Sequence, residues 1–226
     1  MKGIFVHSLG NKEEGYALVK KGTVNDIGSH IIWHVHALML RTDKRFSEAE
    51  KCYAKAVEIE KVSNISRGMC RLATAEPLRS PFLRNHPSQD SLALLNDLAT
   101  LQAHLRHYTG YAQSRLQILR VQPRLRRNWV YLAVAQHLAG DLPAADRTLT
   151  HLEGMLREVP AREFDHGELL CYHAQILEEG GQYERCLQYL ADNSDRIVDR
   201  NAYSVQRGEW RGRWLGRRKQ ARESCC

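Results

Sequence analysis

The sequence predicts an all-α fold, an α-solenoid in which antiparallel helix pairs wind into a right-handed superhelix. Three observations carry this. Trp33 and Trp129 are followed by the same order of small and large residues at the same distances. Blocks laid from these two Trp residues tile most of the 226-residue chain in one register. The longest apolar runs, such as Leu38–Leu40 and Trp129–Ala135, fall far short of the roughly 18 residues of a membrane span.

Trp33 is followed by Ala37 at +4, Phe46 at +13, Ala49 at +16, Tyr53 at +20 and Ala56 at +23. Trp129 is followed by Ala133, Leu142, Ala145, Leu149 and Leu152 at the same five offsets. This is the spacing of the tetratricopeptide repeat, a helix–turn–helix unit of about 34 residues. The Trp and the Ala one turn later share a face of the first helix, helix A. The small residue lets helix B approach, and the Ala at +16 is its counterpart on helix B. The Trp is expected to act as a large plug between the helices.

In chain order, residues 1–29 fit a truncated unit with Gly3 and Gly15 at the small sites and Gly10-Asn11 as its turn. Blocks 30–63, 92–125 and 126–159 follow, the middle one carrying Ala99, Tyr108 and a terminating Pro123. After a spacer with Pro160, block 167–200 has Ala174, Tyr183, Cys186 and Leu190 at the equivalent sites and Gly180-Gly181 in its turn. Each unit buries its apolar stripe only against its neighbours, which is what makes a solenoid.

Two segments interrupt the pattern, so the chain divides into repeats over 1–61, an insertion over 62–89, repeats over 90–206, and a tail over 207–226. The insertion, VSNISRGMCRLATAEPLRSPFLRNHPSQ, holds three Pro and no sustained periodicity, and reads as an irregular loop. Its origin is open between a translated intron, since Val-Ser is what a GTGAGT donor encodes, and a lineage-specific loop. The tail reads as disordered. It holds Arg207, Arg211, Arg213, Arg217, Arg218, Lys219 and Arg222 against two Glu, a net of +5. The insertion contributes +3 of the chain's +7, which leaves the repeats near neutral and disfavours sequence-specific nucleic-acid binding.

The chemistry of a catalyst is missing. No Walker loop, Gly-x-Gly-x-x-Gly, Gly-x-Ser-x-Gly or acyl-CoA loop occurs, so no catalytic residue and no cofactor are expected. His30, His34 and His36 lack the Glu and third ligand of a metal site, so no metal is expected either. The six Cys show no Cys-x-x-Cys, which suits a reducing compartment with Cys52, Cys171 and Cys186 as buried thiols. Helix A positions on the concave face nominate His34, Leu38, Asn96, Arg127, Val130, His137 and Gln175 as partner contacts. The Lys, Asn and Arg set that grips a C-terminal carboxylate is absent, and the mixed groove suits a protein helix.

The stretches LGNKEEGYALVKKG (9–22), SHIIWHVHALMLRTDKRFSEAEKCYAKAV (29–57) and LLNDLATLQAHLRHYTGYAQSRLQIL (94–119) resemble the auxiliary subunits of the N-terminal acetyltransferase A complex. So do RRNWVYLAVAQHLAGDLPAA (126–145) and ELLCYHAQILEEGGQYERCLQYL (168–190). The resemblance covers roughly 1–61 and 90–209, while the insertion and the basic tail depart from the family pattern. It implies an N-terminal-region fragment of a longer, non-catalytic cytoplasmic scaffold. Through the full-length parent, that scaffold would hold an acetyltransferase catalytic subunit and dock it on the ribosome, with no membrane involved. A general tetratricopeptide adaptor, with neither acetyltransferase nor ribosome, is the competing reading.

Overall fold

The computed structural model describes residues 2–73, 89–156, 164–199, 203–205, 208, 212–213 and 216. Among them every element is helix or turn, with no strand. The chain forms two compact units, Met1–Asn128 and Trp129–Cys226. The first holds α1 (Lys2–Ser8), α2 (Lys12–Asn25), α3 (His30–Thr42), α4 (Phe46–Ala73), α5 (Gln89–His104) and α6 (Tyr108–Val121). Most of α7 (Arg126–Leu138) lies in the second unit, with α8 (Leu142–Met155), α9 (Phe164–Glu179) and α10 (Tyr183–Asp192).

The turn inside each helix pair is built the same way five times. Gly10, Lys44, Arg106, Gly140 and Gly181 all take a positive φ, between 58° and 95°. Lys44, Arg106, Gly140 and Gly181 each stand fifteenth in their predicted blocks, and Gly10 stands 34 residues before Lys44. Each donates its N–H to the carbonyl three residues back, and the next residue donates to the carbonyl five back, at 2.9–3.2 Å. These two bonds form the Schellman closure of a helix C-terminus. The repeat register read from side-chain spacing therefore reappears in the backbone, including the Gly10 and Gly180-Gly181 turns.

The small positions are where the helices touch. Ala37, Ala49, Ala99, Ala133, Ala145 and Ala174 all have no exposed surface. In the first pair the crossing is closer still: a Cβ on Gly15 would lie 2.8 Å from His7 Cβ and 3.0 Å from the Gly3 carbonyl oxygen. Tyr53 is fully buried, while Tyr108 and Tyr183 are half-buried. Two pairs add a buried polar latch, Ser114 Oγ to Gln102 and Thr148 Oγ1 to Gln136, both at 2.7 Å. In each, the Gln stands eleventh in its block and the hydroxyl residue twelve further on.

Three expectations are corrected. Trp33 and Trp129 are half-buried instead of sealed plugs. The Trp33 indole N–H reaches the Ile27 carbonyl at 3.1 Å, and the Trp129 ring lies 4.7 Å from that of His151. An indole whose edge finds polar company need not be enclosed.

The insertion is not irregular from its start, because α4 runs to Ala73. No Pro occurs before Pro77, and once Phe46–Lys61 is helical each further residue adds without a new nucleus. Residues 74–88 lie outside the described residues.

Disorder does not hold for the described part of the tail either. Gly208, Gly212, Arg213 and Gly216 are helical, and Arg213 pairs with Glu178 at 3.0 Å. Just before the tail, Tyr203 joins the core of Leu170, Leu177 and Leu190.

Candidate functional site

The nominated contacts fall into two groups, one in each unit. In Met1–Asn128, His34 lies 3.3 Å from Asp97 Oδ2, and Arg41 donates to the other oxygen at 3.4 Å. The His34 ring also tilts against Tyr53, with centroids 5.6 Å apart. Leu38 is half-buried. Asn96 is exposed and accepts from Arg115 at 3.3 Å, while the Arg115 guanidinium sits 5.1 Å from the Tyr111 ring centre. Arg127 is exposed at the start of α7.

In Trp129–Cys226, Val130 is half-buried and packs against the core cluster of Ala133, Leu149 and Leu152. His137 and Gln175 are brought together by a residue outside the nominated set. Glu179 lies 2.7 Å from His137 Nε2 and accepts from Gln175 at 2.8 Å. The Gln175 amide, then His137, hold its carboxyl below the usual carboxylate range. His137 Nδ1 is 2.8 Å from the Tyr172 hydroxyl. Asp97 and Glu179 carried no local signal. Each is an ordinary acid on a helix face until a neighbouring repeat brings a His to it.

Beneath this surface lies a polar cluster in the core. His173 is almost fully buried between two carboxylates of α8, with Glu153 at 2.5 Å from Nδ1 and Asp146 at 2.7 Å from Nε2. With an acceptor at both ring nitrogens, the ring carries two protons. Burial alone would lower its pKa, but the bonds to Glu153 and Asp146 outweigh that and raise it. From α10, Arg185 pairs with Asp146 at 2.7 Å and Tyr189 donates to Glu153 at 2.5 Å.

Burial would likewise raise the Asp146 carboxyl, yet Arg185 and His173 keep it lowered. The Tyr189 phenol is pushed far up by burial and by Glu153.

The three buried thiols are not poised for attack. Burial pushes Cys171 up to about 11 and Cys186 up to about 12, and raises Cys52 as well. A thiol in that state is protonated at neutral pH and a poor nucleophile. Among the described residues, no helix is long and apolar enough to cross a membrane. Within each unit, the helix A faces carry side chains paired across neighbouring helices.

Helix pairs in one register, closed by one turn and packed through small residues, define a tetratricopeptide-repeat α-solenoid. Distant solved repeat proteins share the fold, among them the tetratricopeptide protein YrrB, at 11% identity and a TM-score of 0.51 over 91% of this chain and 88% of that one. No family model matches the chain.

Curated relatives are more specific. The chain is similar in sequence to auxiliary subunits of the N-terminal acetyltransferase A complex. It is 34% identical over 91% of its length to the auxiliary subunit NAA15 of Arabidopsis thaliana. It is also 32% identical over 99% of its length to the human NatA auxiliary subunit named N-alpha-acetyltransferase 16. It spans 20% and 23% of the length of those two relatives. A chain of the solved Naa15/Naa10 complex bound to HypK-THB matches at 33% identity and a TM-score of 0.76, over 97% of this chain and 29% of that one.

Proposed function

We propose that this chain is part of a non-catalytic scaffold, the auxiliary subunit of an N-terminal acetyltransferase of the A type. In the full-length protein the solenoid holds a separate catalytic subunit and docks it on the ribosome. There the partner acetylates emerging N-termini in the cytoplasm, using acetyl-CoA that it binds itself. The observation that carries this reading is the likeness to auxiliary subunits along 91–99% of this chain. The chain's own chemistry agrees, since its buried thiols are held protonated and its functional-looking polar groups are paired across repeats. His34, Leu38, Asn96 and Arg127 in one unit, and His137 and Gln175 in the other, are then contact points for protein partners.

The test uses the full-length protein that contains this chain. Tagged and purified, it is expected to bring down an acetyltransferase catalytic subunit and to sediment with ribosomes. The purified complex should transfer acetyl from acetyl-CoA to peptide N-termini, and the auxiliary protein alone should not. Recovery of a chaperone or transport partner with no acetyltransferase would assign the chain to the general adaptors instead.

A further inference from the structure

We infer that Tyr203, Gly208 and Arg213 mark the helix A of a sixth repeat, latched onto α9 through Glu178. A block following 167–200 begins at residue 201, and three described residues then fall on register sites. Tyr203 stands third, a site buried in the three preceding blocks as Leu94, Asn128 and Leu169. It is buried too, in the core of Leu170, Leu177 and Leu190. Gly208 stands eighth, the small site of Ala99, Ala133 and Ala174. Arg213 stands thirteenth and meets Glu178, twelfth in the block before, at 3.0 Å. Glu179, thirteenth in its own block, likewise meets His137, twelfth in the block before, at 2.7 Å. One contact rule serves both junctions, and the described residues from 203 to 216 are helical.

Charge makes the contact a latch. The Glu178 side chain is 9% exposed, whereas that of Arg213 is 53% exposed. A carboxylate at that depth is costly to leave without its counter-ion, so lifting the segment away strands it. Docking the segment and pairing Glu178 are one event. The basic run that by composition resembles an address for nucleic acid or an anionic surface is held to the repeats through one of its own cations. Gly208 takes no part in the contact, since a Cβ there would meet nothing within 4 Å. The latch acts within this chain, whichever partner the solenoid serves.

The test digests the full 226-residue chain with trypsin under native conditions, beside a synthetic peptide of residues 201–226. Mass spectrometry follows the cut after Arg213. Cleavage follows the undocked fraction, so the parent is expected to be cut about tenfold or more slowly than the peptide. Glu178→Gln keeps the side chain's shape and removes its charge, and should speed the cut about tenfold. Tyr203→Ala should speed it as well. Gly208→Ala favours a helix without touching the contact, and should slow the cut. The cut after Arg185, in α10, should keep the parent's rate in all three variants. A parent cut as fast as the peptide, or Glu178→Gln cut no faster than the parent, would overturn the proposal. So would a cut after Arg185 that quickens in step, because the whole unit would then be opening.

Discussion

The two units solve the same packing problem with different residues. In Met1–Asn128 two of the helix-pair turns put Lys44 and Arg106 in the left-handed region, while both complete turns of Trp129–Cys226 use Gly140 and Gly181. The polar nodes are inverted as well. In the first unit one anion serves several donors: Asp43 lies 3.0 Å from His7 and accepts from Lys12 at 2.6 Å and Tyr16 at 2.8 Å. These bonds, from Lys12 first, hold Asp43 well below the usual carboxylate range. The Tyr16 phenol is pushed up to about 12 by burial and then by Asp43. In the second unit one cation, His173, serves two anions. The turn geometry therefore comes from how the helices pack, since it forms with or without the residue that suits it.

The sharpest way to break the second node is His173→Ala. It takes the shared ring away from Asp146 and Glu153, which keep only Arg185 and Tyr189, and opens a cavity, at a cost of about 3 kcal/mol. Denaturant unfolding followed by circular dichroism measures it. The same node predicts a pH dependence. The folded pKa of His173 is raised above 6.5, so its stabilisation is complete below about pH 6.5 and fades as pH rises through the folded value. The parent should lose stability on the alkaline side, and His173→Ala should flatten that slope. Asp43 has the opposite sign: its contribution is present above about pH 4 and fades only in acid. A parent profile that is flat from neutral to alkaline pH would show that His173 is not the charged member.

The first unit breaks at its glycine crossing. Gly15→Ala drives a Cβ against His7 and the Gly3 carbonyl, and should destabilise by about 1–3 kcal/mol. Gly15→Ser should behave similarly, so a thermal melt unchanged in Gly15→Ala would mean that α1 can slide away from α2 freely. The smallest effects sharpen the turn comparison. Arg106→Gly should stabilise by about 0.5–1 kcal/mol, while Gly140→Ala, at a φ of 81°, should cost about 1 kcal/mol. Opposite signs in the two melts confirm a shared turn. Two losses would show that the Arg106 side chain matters more than its backbone.

Much of this was legible in advance. The register followed from two Trp residues and their small companions, and Gly10 and Gly180-Gly181 marked turns that take the expected form. Lys44 and Arg106 occupy the same turn position without any local mark, because neither residue type favours a left-handed backbone. The candidate contacts were half legible. His137 and Gln175 do share a partner, Val130 is half-buried against the core, and the joining acids, Asp97 and Glu179, were missed. The break at the insertion was placed twelve residues early, since loss of apolar periodicity does not end a helix that meets no Pro.

What the sequence determined by itself was the local and periodic part: helix pairs, their register and the sites where only a small side chain fits. Those depend on spacings within one repeat, where the backbone leaves few choices. Only the tertiary structure decided the charged pairing between repeats. His7 meets Asp43 across 36 residues of chain, His34 meets Asp97 across 63, and His173 finds Glu153 and Asp146 across 20 and 27. A hydrogen bond needs its partners within about 3 Å and aligned, and over such separations nothing in the local pattern sets that distance. Stacking one repeat on the next does.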